Sequence, residues 1–174
     1  KQKTAYDITK ATVSGISTKA FTGKAITQNV TVKVGNTVLK NGTDYTVSYS
    51  NNKKVGKATV KITGKGKYGG VITKTFKINP AKQEIQKLTA KSKSFFVDWA
   101  QKGSATGYDV EYSVKANMSG AVSKHLTANK PDTLTVSGLA GDKTYYVRVR
   151  SYTNVNGKVY YGAWSDIKSI KTAN

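Results

Sequence analysis

Asp109 and Glu111 stand two residues apart in Gly107-Tyr108-Asp109-Val110-Glu111-Tyr112. On an extended strand that spacing sets both carboxylates on one face, about 7 Å apart. Two carboxyls at such a distance are the equipment of glycoside hydrolysis, in which one donates a proton and the other acts as base or nucleophile. The reaction also needs a cleft for the sugar ring and an apolar wall that raises one pKa. A flat strand exterior offers neither, and Arg148 and Arg150, also two apart, suit the acids as cross-strand partners. His125 is the single histidine, with no base partner or metal-ligand spacing nearby, and reads as a surface or loop residue.

Other chemistry-bearing patterns reduce to local structure in the same way. Gly64-Lys65-Gly66-Lys67-Tyr68-Gly69 satisfies G-x-G-x-x-G, but a dinucleotide cradle requires a helix directly after the glycines, and a strand pattern follows here. The segment therefore reads as a glycine-rich hairpin loop. Asp44 with Asn51 or Asn52 and a lysine supplies the atoms of an intramolecular isopeptide bond, although Asp44 suits a turn. The acids are scattered, with no calcium loop and no histidine pair, so no metal and no cofactor is expected. Zero cysteines exclude a disulfide scaffold, a thiolate metal site and a cysteine nucleophile. What remains is an aromatic and cationic set, Tyr146, Arg148, Arg150, Tyr152, Tyr160, Tyr161 and Trp164. Exposed rings stack on sugars, which makes this set the candidate ligand-binding face, although an outward Tyr/Arg set also satisfies ordinary cross-strand pairing and reads first as an aromatic ladder supporting its own sheet.

Charge narrows the partners. Twenty-seven lysines and two arginines face nine acids, giving a net charge of +20. Residues 1–80 hold fifteen lysines against two acids, and residues 81–174 hold fourteen basic residues against seven acids. Lysine in such excess favours diffuse attraction to anionic cell-envelope polymers or glycans over planar, bidentate recognition. Neither a recognition helix nor a stacking platform accompanies it, so no specific nucleic acid is expected. No apolar run is long enough for membrane insertion. The sequence begins at Lys1 without a start methionine or apolar leader and reads as an excised or mature piece of something longer.

These residues must be positioned by strands. Between Ala11 and Ile78 apolar and polar residues alternate in short runs punctuated by glycine and asparagine, and helical spacing is absent. Val30, Val32 and Val34 share one face; Tyr45, Val47 and Tyr49, then Ala58, Val60 and Ile62, then Ile72, Phe76 and Ile78 repeat the pattern, with turns at Gly35-Asn36 and Asn41-Gly42. Lys74, in phase with Ile72 and Phe76, predicts an edge strand or a bulge. After Asn79-Pro80 the pattern restarts, with both tryptophans in the second half. The expected architecture is all-β, two consecutive β-sandwiches over residues 1–80 and 81–174. In the second, Tyr108, Val110 and Tyr112 face inward with Tyr145, Val147 and Val149, leaving Asp109, Glu111, Tyr146, Arg148, Arg150 and Tyr152 outside. Asn156-Gly157 closes a hairpin that returns Tyr160 to Trp164 beside Tyr152, so Trp164 is expected to stack on Arg148 or Arg150.

Phe21-Thr22-Gly23-Lys24, Gly42-Thr43-Asp44-Tyr45-Thr46-Val47, Val55-Gly56-Lys57-Ala58-Thr59-Val60 and Gly64-Lys65-Gly66-Lys67-Tyr68 resemble an immunoglobulin-like repeat of secreted Gram-positive surface proteins, over nearly all of residues 11–79. Such repeats usually read proline where this chain has Thr27. Asp98-Trp99, Gly107 to Tyr112, Leu134 to Leu139, Lys143 to Arg150 and Ala163-Trp164-Ser165 resemble a fibronectin type III domain over residues 82–172. That likeness implies that Trp99 lies in the core and that the Tyr145 hydroxyl bonds back along the chain. Together the resemblances imply a monomeric, non-catalytic spacer and adhesion pair, secreted or at the bacterial cell surface, working beside other domains of the same polypeptide. The alternatives are a module binding a carbohydrate or host ligand, and the accessory region of a secreted hydrolase.

Overall fold

The computed structural model describes residues 6–174. Its contacts divide the chain into two compact units, one ending at Ile78 and one running from Asn79 to Asn174. The first contains β1 (Tyr6–Asp7), a short 3-10 turn (Ile8–Lys10), β2 (Thr12–Ser14), β3 (Lys19–Ala20), β4 (Thr31–Val34), β5 (Thr37–Val38), β6 (Tyr45–Ser50), β7 (Gly56–Gly64), β8 (Tyr68–Gly69) and β9 (Val71–Asn79). A four-stranded sheet, β3-β9-β7-β6, and a three-stranded sheet, β2-β4-β5, enclose one core. Ala58, Val60 and Ile62 on β7 are wholly buried, with Phe76 and Ile78 of β9 beside them, as strand alternation dictates.

Local chemistry sets the connections. Gly35, at a φ of 58°, and Asn36 join β4 to β5 in a two-residue turn, with Val34 opposite Thr37. Asp44 is a turn residue, its Oδ2 accepting from the Lys40 amide at 2.8 Å. Residues 65–67 form a short turn between β7 and β8, with no helix after the glycines; a Cβ on Gly64 would lie 2.9 Å from the Tyr68 backbone. The β7–β9 register runs unbroken from Gly56↔Ile78 to Thr63↔Val71, so Lys74 sits on no bulge. Its side chain is exposed on a strand whose other neighbour is only the two-residue β3. Ile8, fully buried in the 3-10 turn, belongs to the core although no alternation announces it.

The second unit contains β10 (Ile85–Lys91), β11 (Ser94–Trp99), β12 (Gly107–Ser113), β13 (Val122–Leu126), β14 (Thr133–Ser137), β15 (Thr144–Val155), β16 (Lys158–Tyr161) and β17 (Lys168–Lys171). Sheet β10-β11-β14 packs on sheet β13-β12-β15-β16, with β17 also paired to β15. Trp99, Phe95 and Tyr108 are the largest wholly buried side chains of this interior, and the Trp99 and Tyr108 rings lie 5.2 Å apart. The Tyr145 hydroxyl accepts from the Ala140 amide at 3.1 Å, closing the corner that precedes β15.

Candidate functional site

The candidate face is the outer side of β12 and β15 together with the segment that follows β16. Register makes it: Asp109 pairs with Arg150 and Glu111 with Arg148, directly across the two strands. Arg148 donates from Nε and Nη2 to Glu111 Oε2 at 2.8 and 2.6 Å, and Arg150 Nε donates to Asp109 Oδ2 at 2.8 Å. The other Asp109 oxygen lies 2.6 Å from His125 Nδ1. Asp109 is therefore roofed over, its side chain only 8% exposed, although alternation places it on the outer face.

Trp164 lies over both arginines, 4.4 Å from the Arg148 guanidinium carbon and 4.5 Å from that of Arg150. Arg150 also sits 4.0 Å from the Tyr161 ring. Each such stack is worth roughly 0.5–2 kcal/mol according to exposure. The backbone explains why a tryptophan arrives here. On the side away from β12, strand β15 pairs with β17 over Thr144–Val147 and with β16 over Tyr152–Val155, which leaves that edge of its middle without a regular neighbour. Ser165 fills the gap: its amide donates to the Val149 carbonyl at 2.8 Å and its Oγ accepts from the Val149 amide at 3.0 Å. The Gly162 amide donates to the Ser151 carbonyl at 2.9 Å, so residues 162–165 run along β15 and present Trp164 outward.

Not every residue expected on an exposed face is found there. Tyr146, Arg148, Arg150 and Trp164 are half-buried, Tyr161 is 43% exposed, and Tyr152 and Tyr160 are buried. Tyr152 does share the outer side with the arginines, but its ring lies flat over Gly107, where a Cβ would come within 2.6 Å of its hydroxyl oxygen. That hydroxyl donates to the Leu126 carbonyl at 3.1 Å, and the ring stacks on His125 at 4.8 Å. Burial pushes the Tyr152 hydroxyl pKa up, and the nearby Asp109 charge pushes it further. Tyr160 stands opposite Thr153, one residue out of phase with the Tyr152–Tyr161 pair, and so belongs to the other side of the sheet.

His125 is the residue that sequence reasoning missed. Far from lacking a partner, it sits on β13 opposite Asp109 and against Tyr152. Its strand is exposed nearly throughout and carries no alternation that could have revealed the pairing. The two carboxylates are held apart by their own arginines, so the arrangement neutralises charge and stacks rings rather than shaping a cleft for proton transfer. Among the described residues no cluster of three potential metal ligands occurs.

Residues 80–166 match the fibronectin type III domain, half of the chain, and the chain belongs to that family. Domains of this family generally serve as non-catalytic spacer or binding modules. Many solved structures are similar to the chain, among them the following two. One is a myokine structure, at 15% identity, covering 55% of this chain and 99% of the other with a TM-score of 0.46. The second comprises the FN1–FN3 domains of chicken CNTN1, at 14% identity, covering 98% of this chain and 68% of the other with a TM-score of 0.48. No curated protein matches the sequence.

Proposed function

We propose that the chain is a non-catalytic spacer and adhesion pair of a secreted or wall-associated multidomain bacterial protein, its first unit an immunoglobulin-like repeat. One observation carries the reading: on the face best equipped for chemistry, Asp109, Glu111, Arg148 and Arg150 are all consumed by one another and by His125, Tyr161 and Trp164. Such a face stiffens a sheet. Long ladders in each unit, nine residues on β7 and twelve on β15, suit a module that transmits load. The wording of residues 11–79 supports a repeat from a Gram-positive exterior. Held by its ends in force spectroscopy, the chain should yield two separate unfolding peaks, each releasing about 3.3–3.6 Å per residue of one unit. Extension without a force peak overturns the mechanical role.

The exposure of Tyr161, with Arg150 beneath it, favours a second reading as a carbohydrate- or host-ligand-binding module. Glycan-array binding by the intact chain that vanishes in Tyr161→Ala supports it. Equal signals from the two proteins discard it.

A further inference from the structure

The outer face of sheet β3-β9-β7-β6 carries a side-chain set that a spacer does not need. Because β7 turns Ala58, Val60 and Ile62 inward, alternate residues look out, and the register aligns them in rows. Ser50, Thr59 and Thr75 form one row across β6, β7 and β9; Ser48, Lys61 and Thr73 form the next. Beyond them Lys57 stands directly opposite Lys77. Thr59 is half-buried and the rest are exposed. No ring, arginine or carboxylate interrupts these rows.

Like charges set directly across two strands destabilise the pairing, and an acid nearby would offset them. Here none is free. The acids of the unit are Asp7, which accepts from Thr9, and Asp44, which is turned to the Lys40 amide. Every ion pair among the described residues lies in the other unit. The ammonium groups are thus left for an external anion.

We propose that this face docks a linear, phosphate-bearing polymer without ring systems. Lys57 and Lys61 lie four residues apart on one strand, about 13 Å, so one small ion cannot serve both and a chain with repeated charges can. Lysine provides rotatable point charges that follow an irregular polymer. Serine and threonine hydroxyls between them donate to phosphate oxygens. Single-stranded nucleic acid and sugar chains draw much of their affinity from rings stacked on aromatic side chains, and this face offers none.

The test uses the intact chain and a fluorescently labelled long-chain inorganic polyphosphate, with anisotropy read from 50 to 200 mM salt. The triple variant Lys57→Gln, Lys61→Gln, Lys77→Gln is expected to bind about tenfold more weakly with a shallower salt slope, because its contacts release fewer counterions. A triple of equal charge change in the other unit, Lys87→Gln, Lys115→Gln, Lys124→Gln, should stay within about twofold. Replacing the same three face lysines by arginine should preserve binding, which separates loss of charge from loss of fold. Equal weakening by both glutamine triples would mean diffuse attraction and overturns the proposal. So does an oligo(dT) of matching charge that binds as tightly as polyphosphate.

Discussion

Gly107 has no side chain because two groups already occupy the space one would need. A Cβ there would lie 1.9 Å from the Leu126 carbonyl oxygen and 2.6 Å from the Tyr152 hydroxyl. The first obstacle is backbone of the neighbouring strand β13, which cannot swing aside as a side chain can. Gly107→Ala is therefore expected to destabilise the second unit by about 3 kcal/mol or more, in the range of overpacked cores. Both tryptophans lie in that unit, so Trp fluorescence during urea unfolding isolates its transition. An unchanged midpoint would show that Tyr152 does not rest on Gly107. The same contact explains why Tyr152, outward by alternation, is buried: the missing Cβ lets its ring lie on the sheet instead of rising from it.

At the level of elements, the decisive feature is the interrupted pairing of β15. On the side away from β12 its middle residues have no regular partner, and the Ser165 side chain supplies the acceptor that a strand carbonyl would otherwise give. Ser165→Ala leaves the Val149 amide without that acceptor in a buried position, a loss of about 1–3 kcal/mol. It also frees Trp164, so the emission maximum of the folded protein should move to longer wavelength as the indole leaves the arginines. A stability loss without that shift would mean that Trp164 is held by the stack alone. The hairpin before it was legible residue by residue: Asn156 and Gly157 adopt φ values of 51° and 83°, the turn that Asn-Gly favours, with Val155 opposite Lys158. The strand carrying His125 was not, because a strand exposed along almost its whole length lacks the apolar period by which strands are recognised. Ile8 escaped notice for a related reason, since a three-residue 3-10 turn is too short to show a period.

Across the whole molecule, each unit has its own interior, and each unit has at least one buried tyrosine hydroxyl driven upward in pKa. Burial is the main cause at Tyr45 in the first unit and at Tyr108 and Tyr152 in the second. An unfolded tyrosine releases its proton near pH 10, while these remain protonated in the native state, which then binds more protons than the unfolded chain. Their contribution is fully present below about pH 10 and is lost as pH rises through the folded pKa values. Thermal unfolding followed from pH 8 to 11.5 should show stability falling above pH 10, with a shallower fall for the second unit in Tyr108→Phe. A slope unaffected by that substitution would place the alkaline sensitivity elsewhere.

While the core place of Trp99 followed from the fibronectin type III likeness, alternation along single strands was enough to foresee an all-β chain, the inward set of Tyr108, Tyr145 and Val147, and the meeting of acids with arginines across β12 and β15. Those features depend on a period of two and on turn residues, both local properties of the chain. The roof over Asp109 and the seat of Tyr152 on Gly107 required the folded molecule. Each depends on which strand lies beside which, and on distances between residues remote in sequence, and pairing across space leaves no period in the chain to read.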